Sequence, residues 1–168
     1  MRAAKPLHAK RLNALPNHER ILLVGSSGGH LAQLLSLKSW WQGNDRCWVT
    51  FPTPDATSAL GKEADVNWAH SPTTRNLPNL LRNTRLAFSV IRRFNPTVIV
   101  STGAGSALPF FVFGKVLGIS TIYIEVYDRV ESPTLTGRLC RPFSDLMLVQ
   151  WRDQLGLYRD AQLVGRLL

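Results

Sequence analysis

The sequence predicts an α/β fold: a Rossmann-like, doubly wound parallel sheet with helices on both faces. Three observations predict it. Short apolar runs alternate with helical patterns along the chain. Most of those runs are continuously apolar, as strands covered on both faces are. Two of them lead straight into glycine turns that open a helix.

Taken in order, the predicted strands are 21–24, 47–51, 66–69, 98–101, 121–124, 146–149 and 162–164. The clearest helix is 77–94. Asn76 caps it, Pro78 suits its first turn, and Leu77, Leu81, Thr84, Phe88 and Ile91 recur at helical spacing as its apolar face. Arg82, Arg85, Arg92 and Arg93 fall on the other face. The stretch ALPFFVFGKVLG reads as a helix packed on the sheet, with contact to lipid headgroups the less favoured alternative. The five tryptophans read mostly as core or interface residues, Trp151 near the chain end among them. Residues 1–20 carry Arg2, Lys5, Lys10, Arg11 and Arg20 against Glu19 alone and lack an apolar period, so they read as a flexible basic arm. Residues 21–168 then form one Rossmann-like domain.

Charge limits the partners. Lysine and arginine number 20 against 11 acids, a formal +9, which suits nucleic acid, an anionic leaflet or a phosphorylated substrate. No acid lies between Asp65 and Glu125, while Arg75, the four helix arginines and Lys115 do. Cys47 and Cys140 give neither a disulfide framework nor a metal-ligand spacing, so the expected setting is a reducing cytoplasm and the expected metal is none. No apolar run reaches the roughly eighteen residues of a spanning helix, and no apolar segment follows the basic residues as a secretory signal requires. Membrane contact is therefore expected to be peripheral.

The motif ILLVGSSGGHLAQLLSL places Gly25, Ser26, Ser27, Gly28 and Gly29 between a strand and a helix start, where free amides and the helix dipole favour an anion. The loop ends in His30. Its spacing is not the dinucleotide G-x-G-x-x-G, Asp45 precedes the second strand instead of ending it, and no G-K-[S/T] is present; nicotinamide binding and nucleotide hydrolysis both lose support. VIVSTGAGSALP repeats the design, with Thr102, Gly103 and Gly105 in the turn and Ser106 able to cap. The first loop, with three glycines and a histidine at the helix start, reads as a binding loop more than as a tight turn; the second alone serves equally as either, and two such loops at one sheet edge form a crevice at a topological switch point. YIEVYDRVESPTLTGRLCRPFSD brings Glu125, Asp128 and Arg129 to the same edge, where charged residues are also at home as solvated groups.

GSSGGHLAQLL, STGAGSALP, IYIEVYDRVESPTLTGRL and LVQW, in this order, resemble the asparagine-linked glycosylation protein fourteen family, including its bacterial exopolysaccharide homologues of the PssD type. The resemblance spans 21–168, and the opening loop is also similar to that of the peptidoglycan glycosyltransferase that makes lipid II. The resemblance implies the N-terminal, acceptor-binding half of a GT-B glycosyltransferase, with a separate nucleotide-sugar-binding subunit completing a heterodimer. Eukaryotic members carry an N-terminal membrane helix; the basic arm here favours a bacterial-type member on the inner face of the plasma membrane.

The implied reaction is hexosyl or N-acetylhexosaminyl transfer, with inversion, from a UDP-sugar bound mainly by the partner to a polyprenyl-diphosphate-linked saccharide, in cell-surface polysaccharide or lipid-linked oligosaccharide synthesis. No further cofactor is implied. His30 is the first candidate base, since imidazole titrates near neutrality; it serves alternatively as a contact to the acceptor diphosphate or as a helix start. Glu125 is the second candidate base. Arg129 is a candidate phosphate contact, together with the two glycine loops. Two rival classes stand beside this reading: a stand-alone Rossmann-like nucleotide-dependent enzyme, and a basic nucleic-acid-binding module. For the second, no recognition motif accompanies the charge, so no specific nucleic acid is expected.

Overall fold

The computed structural model describes residues 18–73 and 76–168. Seven strands form one parallel sheet in the order β3-β2-β1-β4-β5-β6-β7. They are β1 Arg20–Val24, β2 Asp45–Thr50, β3 Val66–Trp68, β4 Val98–Ser101, β5 Ser120–Ile124, β6 Leu146–Val149 and β7 Gln162–Leu163. The helices are α1 Gly29–Ser36, the short α2 Lys38–Trp41, α3 Pro54–Ala59, α4 Leu77–Phe94, α5 Ala107–Leu117 and α6 Leu135–Cys140. This is the expected doubly wound fold, and its strand order reverses between β1 and β4. Ligand sites of such sheets lie at the carboxyl ends of the strands flanking that point.

The continuous apolar runs follow from burial on both faces. Successive side chains of a strand point to opposite sides. Leu22 and Val24 of β1 join a core with Cys47, Val49, Ala87, Val90, Phe110 and Phe111. Ile21 and Leu23 join a second core on the other face with Leu31, Leu34, Trp41, Trp48 and Val100. Trp41 and Trp48 meet edge to face there at 5.5 Å. Phe110 and Phe111 are buried, as the packed reading of α5 requires. Burial pushes the Cys47 thiol up to about 12 and the Cys140 thiol likewise to about 12, so neither is a thiolate near neutral pH.

Two sequence expectations shift. The basic arm expected over 1–20 ends earlier, because Arg20 opens β1 and Glu19 is buried; residues 1–17, with the arm's remaining basic groups, lie outside the described residues, as does Arg75. The larger correction concerns α4. The helix spans Leu77–Phe94, capped by the Asn76 side chain accepting from the Asn79 amide at 2.9 Å and ended by Asn95 in the left-handed region. Its buried face, however, is Asn79, Asn83, Ala87, Val90, Ile91 and Phe94. Of the predicted apolar face only Ile91 is buried; Leu77, Leu81 and Phe88 are 72%, 63% and 51% exposed. The two asparagines decide the rotation. Asn83 accepts from the His70 amide at 2.8 Å and donates to its carbonyl at 2.9 Å, and Asn79 donates to the Pro72 carbonyl. These bonds satisfy loop backbone that the sheet leaves unpaired, a term that periodicity does not weigh. The helix arginines are not equivalent either, because Arg93 is paired with Asp65 at 2.8 Å. Among the described residues no helix is long and apolar enough to cross a membrane.

Urea unfolding checks the corrected face. Phe110→Ala is expected to lose about 3–5 kcal/mol, the range for a fully buried phenylalanine, whereas Phe88→Ala stays below about 1 kcal/mol. Iodoacetamide at pH 8 is expected to leave both cysteines unmodified, by mass spectrometry, until denaturant is added.

Candidate functional site

The site lies between the carboxyl ends of β1 and β4. After β1 the chain turns through Gly25, whose amide donates to the Val49 carbonyl, and reaches Gly28, which stands before α1 with φ +67°. A side chain is rarely tolerated in that region, which accounts for glycine there. The Gly28 amide donates to Asp55 Oδ2 at 3.0 Å, from the first turn of α3. Asp55 is held below the usual carboxylate range, first by the neighbouring Thr53 hydroxyl and then by this amide.

His30 begins α1 and is fastened to the second loop by two reciprocal bonds. Its Nδ1 lies 2.7 Å from the Thr102 carbonyl, and the Thr102 hydroxyl donates to the His30 carbonyl at 2.9 Å. A carbonyl only accepts, so Nδ1 carries the proton and the neutral ring offers its lone pair at Nε2. Gly103 packs onto the imidazole with φ +119°; a Cβ there would stand 2.8 Å from His30 Cε1. Ala104 follows at φ 84°, a costly conformation for alanine at the edge of the site.

A crevice of about 290 Å³ opens at this junction. Ser26 and His30 line it from the first loop, Ala104 and Gly105 from the second, and Tyr123, Thr134 and Thr136 from β5 and the start of α6; Phe51 and Thr73 complete it. Thr134 caps α6 by accepting from the Gly137 amide at 2.9 Å, and its hydroxyl reaches Glu125 at 3.0 Å and Tyr123 at 3.2 Å.

Glu125 is fully buried. Its carboxylate accepts from the Val126 amide, the Thr134 amide and hydroxyl, and the Tyr158 hydroxyl. A general base needs an oxygen open to substrate, and here both are engaged behind the crevice wall, so the expectation of Glu125 as a base gives way to a structural role. Burial, and then Glu125, push the Tyr123 and Tyr158 phenols up, so both stay protonated near neutrality.

The remaining expected residues divide in the same way. Ser26, His30 and Gly105 line the crevice; Thr102 and Gly103 form its backing; Gly28 and Gly29 are exposed at the rim, with Ser27 half-buried beside them. Ser106 is buried, makes no capping bond and leaves its Oγ without a partner. Arg129 is exposed and outside the crevice lining, while its carbonyl accepts from the buried Gln154 side chain. Sequence reading passed over Asp55, Tyr123 and Thr134. Thr134 had the signal of a threonine before a helix, and Tyr123 lies two residues from Glu125 on the same strand face. Among the described residues no cluster of three His, Cys, Asp or Glu is placed to hold a metal ion.

A family model described as oligosaccharide biosynthesis protein Alg14 like matches residues 21–167. The chain is 35% identical over 94 residues to the UDP-N-acetylglucosamine transferase subunit ALG14 of Eremothecium gossypii, covering 49% of this chain and 42% of that one. It is 24% identical over 180 residues to the mouse protein of the same name, covering 89% and 83%. Among solved structures, MurG of Acinetobacter baumannii aligns with a TM-score of 0.69 at 14% identity, over 88% of this chain and 45% of that one. UDP-N-acetylglucosamine 2-epimerase of Rickettsia bellii gives 0.67 at 10%, over 89% and 45%. The chain thus spans less than half of the fungal relative and of these solved chains. The structural likeness shows the fold, one half of the GT-B architecture.

Gly103→Ala is expected to displace the imidazole and destabilise the protein by about 1–3 kcal/mol, read by thermal unfolding. Thr102→Val removes one bond of the pair and is expected to cost about 1–2 kcal/mol.

Proposed function

The chain belongs to the Alg14-like family of oligosaccharide biosynthesis proteins, and from that premise we propose that it is the acceptor-binding subunit of a two-chain, inverting glycosyltransferase. The relatives are named as subunits of a transferase, which supports a partner subunit. That partner carries the UDP-sugar. The acceptor is a polyprenyl-diphosphate-linked saccharide in cell-surface polysaccharide or lipid-linked oligosaccharide synthesis, and it enters the crevice between the two glycine loops.

The observation that carries this reading is His30, fixed by the Thr102 carbonyl so that Nε2 is the ring atom left for a substrate. His30 Nε2 takes the proton of the acceptor hydroxyl while that oxygen attacks the anomeric carbon. The bond to UDP breaks on the opposite face, which inverts the centre, and the charge developing on UDP is met on the partner. Gly103 and Gly105 let the second loop come close to the ligand. Glu125 holds the wall through Thr134 and Tyr158 and takes no part in proton transfer. Arg129, outside the crevice, is available to the acceptor's diphosphate.

The reversed face of α4 supports attachment to a membrane. Leu77, Leu81 and Phe88 of α4 and Val116 and Leu117 of α5 are exposed, and the rings of Phe88 and Phe113 pack with their centroids 5.9 Å apart. The exposed Arg82, Arg85 and Arg92 stand on α4, within a stretch that contains no acid. An apolar patch with a basic rim suits the anionic inner leaflet of the plasma membrane.

Affinity purification from gently solubilised membranes of the native host is expected to recover a nucleotide-sugar-binding partner in stoichiometric amount. In the purified pair, His30→Ala lowers transfer about 10²–10⁴-fold without unfolding the chain. Transfer by the pair that is indifferent to His30→Ala contradicts the assigned base. Co-flotation with phosphatidylglycerol vesicles is expected to weaken in Leu81→Glu and Phe88→Glu and to remain in the parent chain.

A further inference from the structure

The crevice is too small and too polar to enclose a whole lipid-linked acceptor. Its volume of about 290 Å³ lies at the lower end for small-molecule pockets, and most of its lining side chains carry a hydroxyl or an imidazole. An isoprenoid chain joined to the sugar through a diphosphate must therefore leave across the rim. We propose that Leu135 and Leu139 of α6 are the isoprenoid contact of this site: they hold the first isoprene units of the acceptor as its chain leaves the crevice, with Leu77 and Leu81 at the start of α4 bounding the other side. The inference rests on the crevice being the acceptor site proposed above, and it names the residues that meet the acceptor's lipid.

Polar and apolar parts of the site meet on α6. Thr134 and Thr136 line the crevice, while Leu135 and Leu139 are 69% and 46% exposed. Four residues apart, the two leucines share one side of the helix, next to the side that bears Thr136. The core contact of α6 is made by Gly137 and Cys140, so these leucines add nothing to it. Across the crevice the pattern recurs. Thr73 packs so closely on Gly105 that a Cβ there would stand 3.0 Å from its own, and Leu77 follows Thr73 by four residues. Leu77, Leu80 and Leu81 are exposed on the first turns of α4. α4 and α6 both pack on α5, which itself starts at the second glycine loop. Three helix starts thus surround the mouth, and the two flanking ones bear exposed leucines. A single exposed leucine is ordinary; several around one polar opening form a patch that suits an apolar ligand. Leu77 and Leu81 also belong to the face assigned above to the membrane, so the contact is continuous with the surface from which a lipid-linked acceptor arrives.

Farnesyl diphosphate, an isoprenoid diphosphate used below its aggregation threshold, is the probe. It is titrated into the full chain carrying carbon-13 labels on the leucine methyl groups, beside inorganic diphosphate as the control without a lipid. Farnesyl diphosphate is expected to shift the Leu135 and Leu139 methyl signals saturably, and inorganic diphosphate to leave them in place. Leu139→Glu, at an exposed position, keeps the fold and is expected to weaken farnesyl diphosphate binding at least roughly tenfold, since burying one leucine side chain is worth about a decade or more in affinity. Val116→Glu, exposed at the far end of α5, is expected to bind as the parent does. Farnesyl diphosphate that fails to bind, or that binds with both methyl signals unmoved, overturns the assignment. Equal weakening by Val116→Glu overturns it as diffuse apolar adhesion, and a Leu139→Glu chain that keeps the probe but loses its partner subunit in copurification gives the leucines to a protein interface instead. A pair that transfers sugar while the leucines ignore the probe sinks this assignment alone. A chain that holds farnesyl diphosphate at α6 while no pair transfers sugar sinks the transferase reading and leaves the contact standing.

Discussion

The site depends on one constraint, the reciprocal pair of hydrogen bonds between His30 and Thr102. It joins the loops after β1 and β4, which belong to the two halves of a doubly wound sheet and have no covalent reason to keep a fixed distance. One bond sets the imidazole tautomer and the other fixes the backbone from which the ring projects. The residue after Thr102 must then pass directly over the ring, which is why it is glycine. Ala104 accepts an unfavourable backbone conformation as the next step of the same turn. Loop shape, ring orientation and the crevice are consequences of a single contact at the switch point.

A second layer of buried polar groups supports the wall of that crevice. Glu125 gathers donors from Val126, Thr134 and Tyr158, and Thr134 connects it to Tyr123. Next to it, Gln150 donates to the Glu125 carbonyl and to Gln33 of α1, and accepts from the Leu167 amide, so the His30-bearing helix, the end of β5 and the last residues share one buried amide. Such groups are costly to bury unless every valence is met, and they hold their segments in a defined arrangement. Their presence beside the crevice gives the wall a fixed shape that a purely apolar contact would not impose.

Much of this fold was legible in the chain. Strands covered on both faces leave continuous apolar runs, and all seven are recognisable with shifts of at most two residues at their ends, as is Asn76 ahead of α4. The two glycine loops and His30 were legible because turn chemistry is local. What stayed hidden depends on long-range pairing. Asn79 and Asn83 face inward because they satisfy the 70–72 backbone, and no periodicity rule ranks an asparagine above a leucine for the core. Asp55 carries no local signal for its role, and only the fold brings it to Gly28, 27 residues earlier. Glu125 looked available because a strand end is usually open, and the closure comes from Tyr158, 33 residues on. Where local pattern failed on α4, the apolar residues left outside are the ones that mark a candidate membrane surface, so the failure itself carries functional information.

The central claim is that His30, locked by Thr102, presents Nε2 to a sugar hydroxyl of the acceptor. Long-range nitrogen-15 NMR of the imidazole, with and without a soluble saccharide diphosphate analogue of the acceptor, tests it directly. The account predicts the Nδ1–H tautomer in the free protein and a shift confined to Nε2 when the analogue binds. A ring protonated at Nε2 in its neutral form, or an imidazole unmoved by a bound analogue, would contradict it.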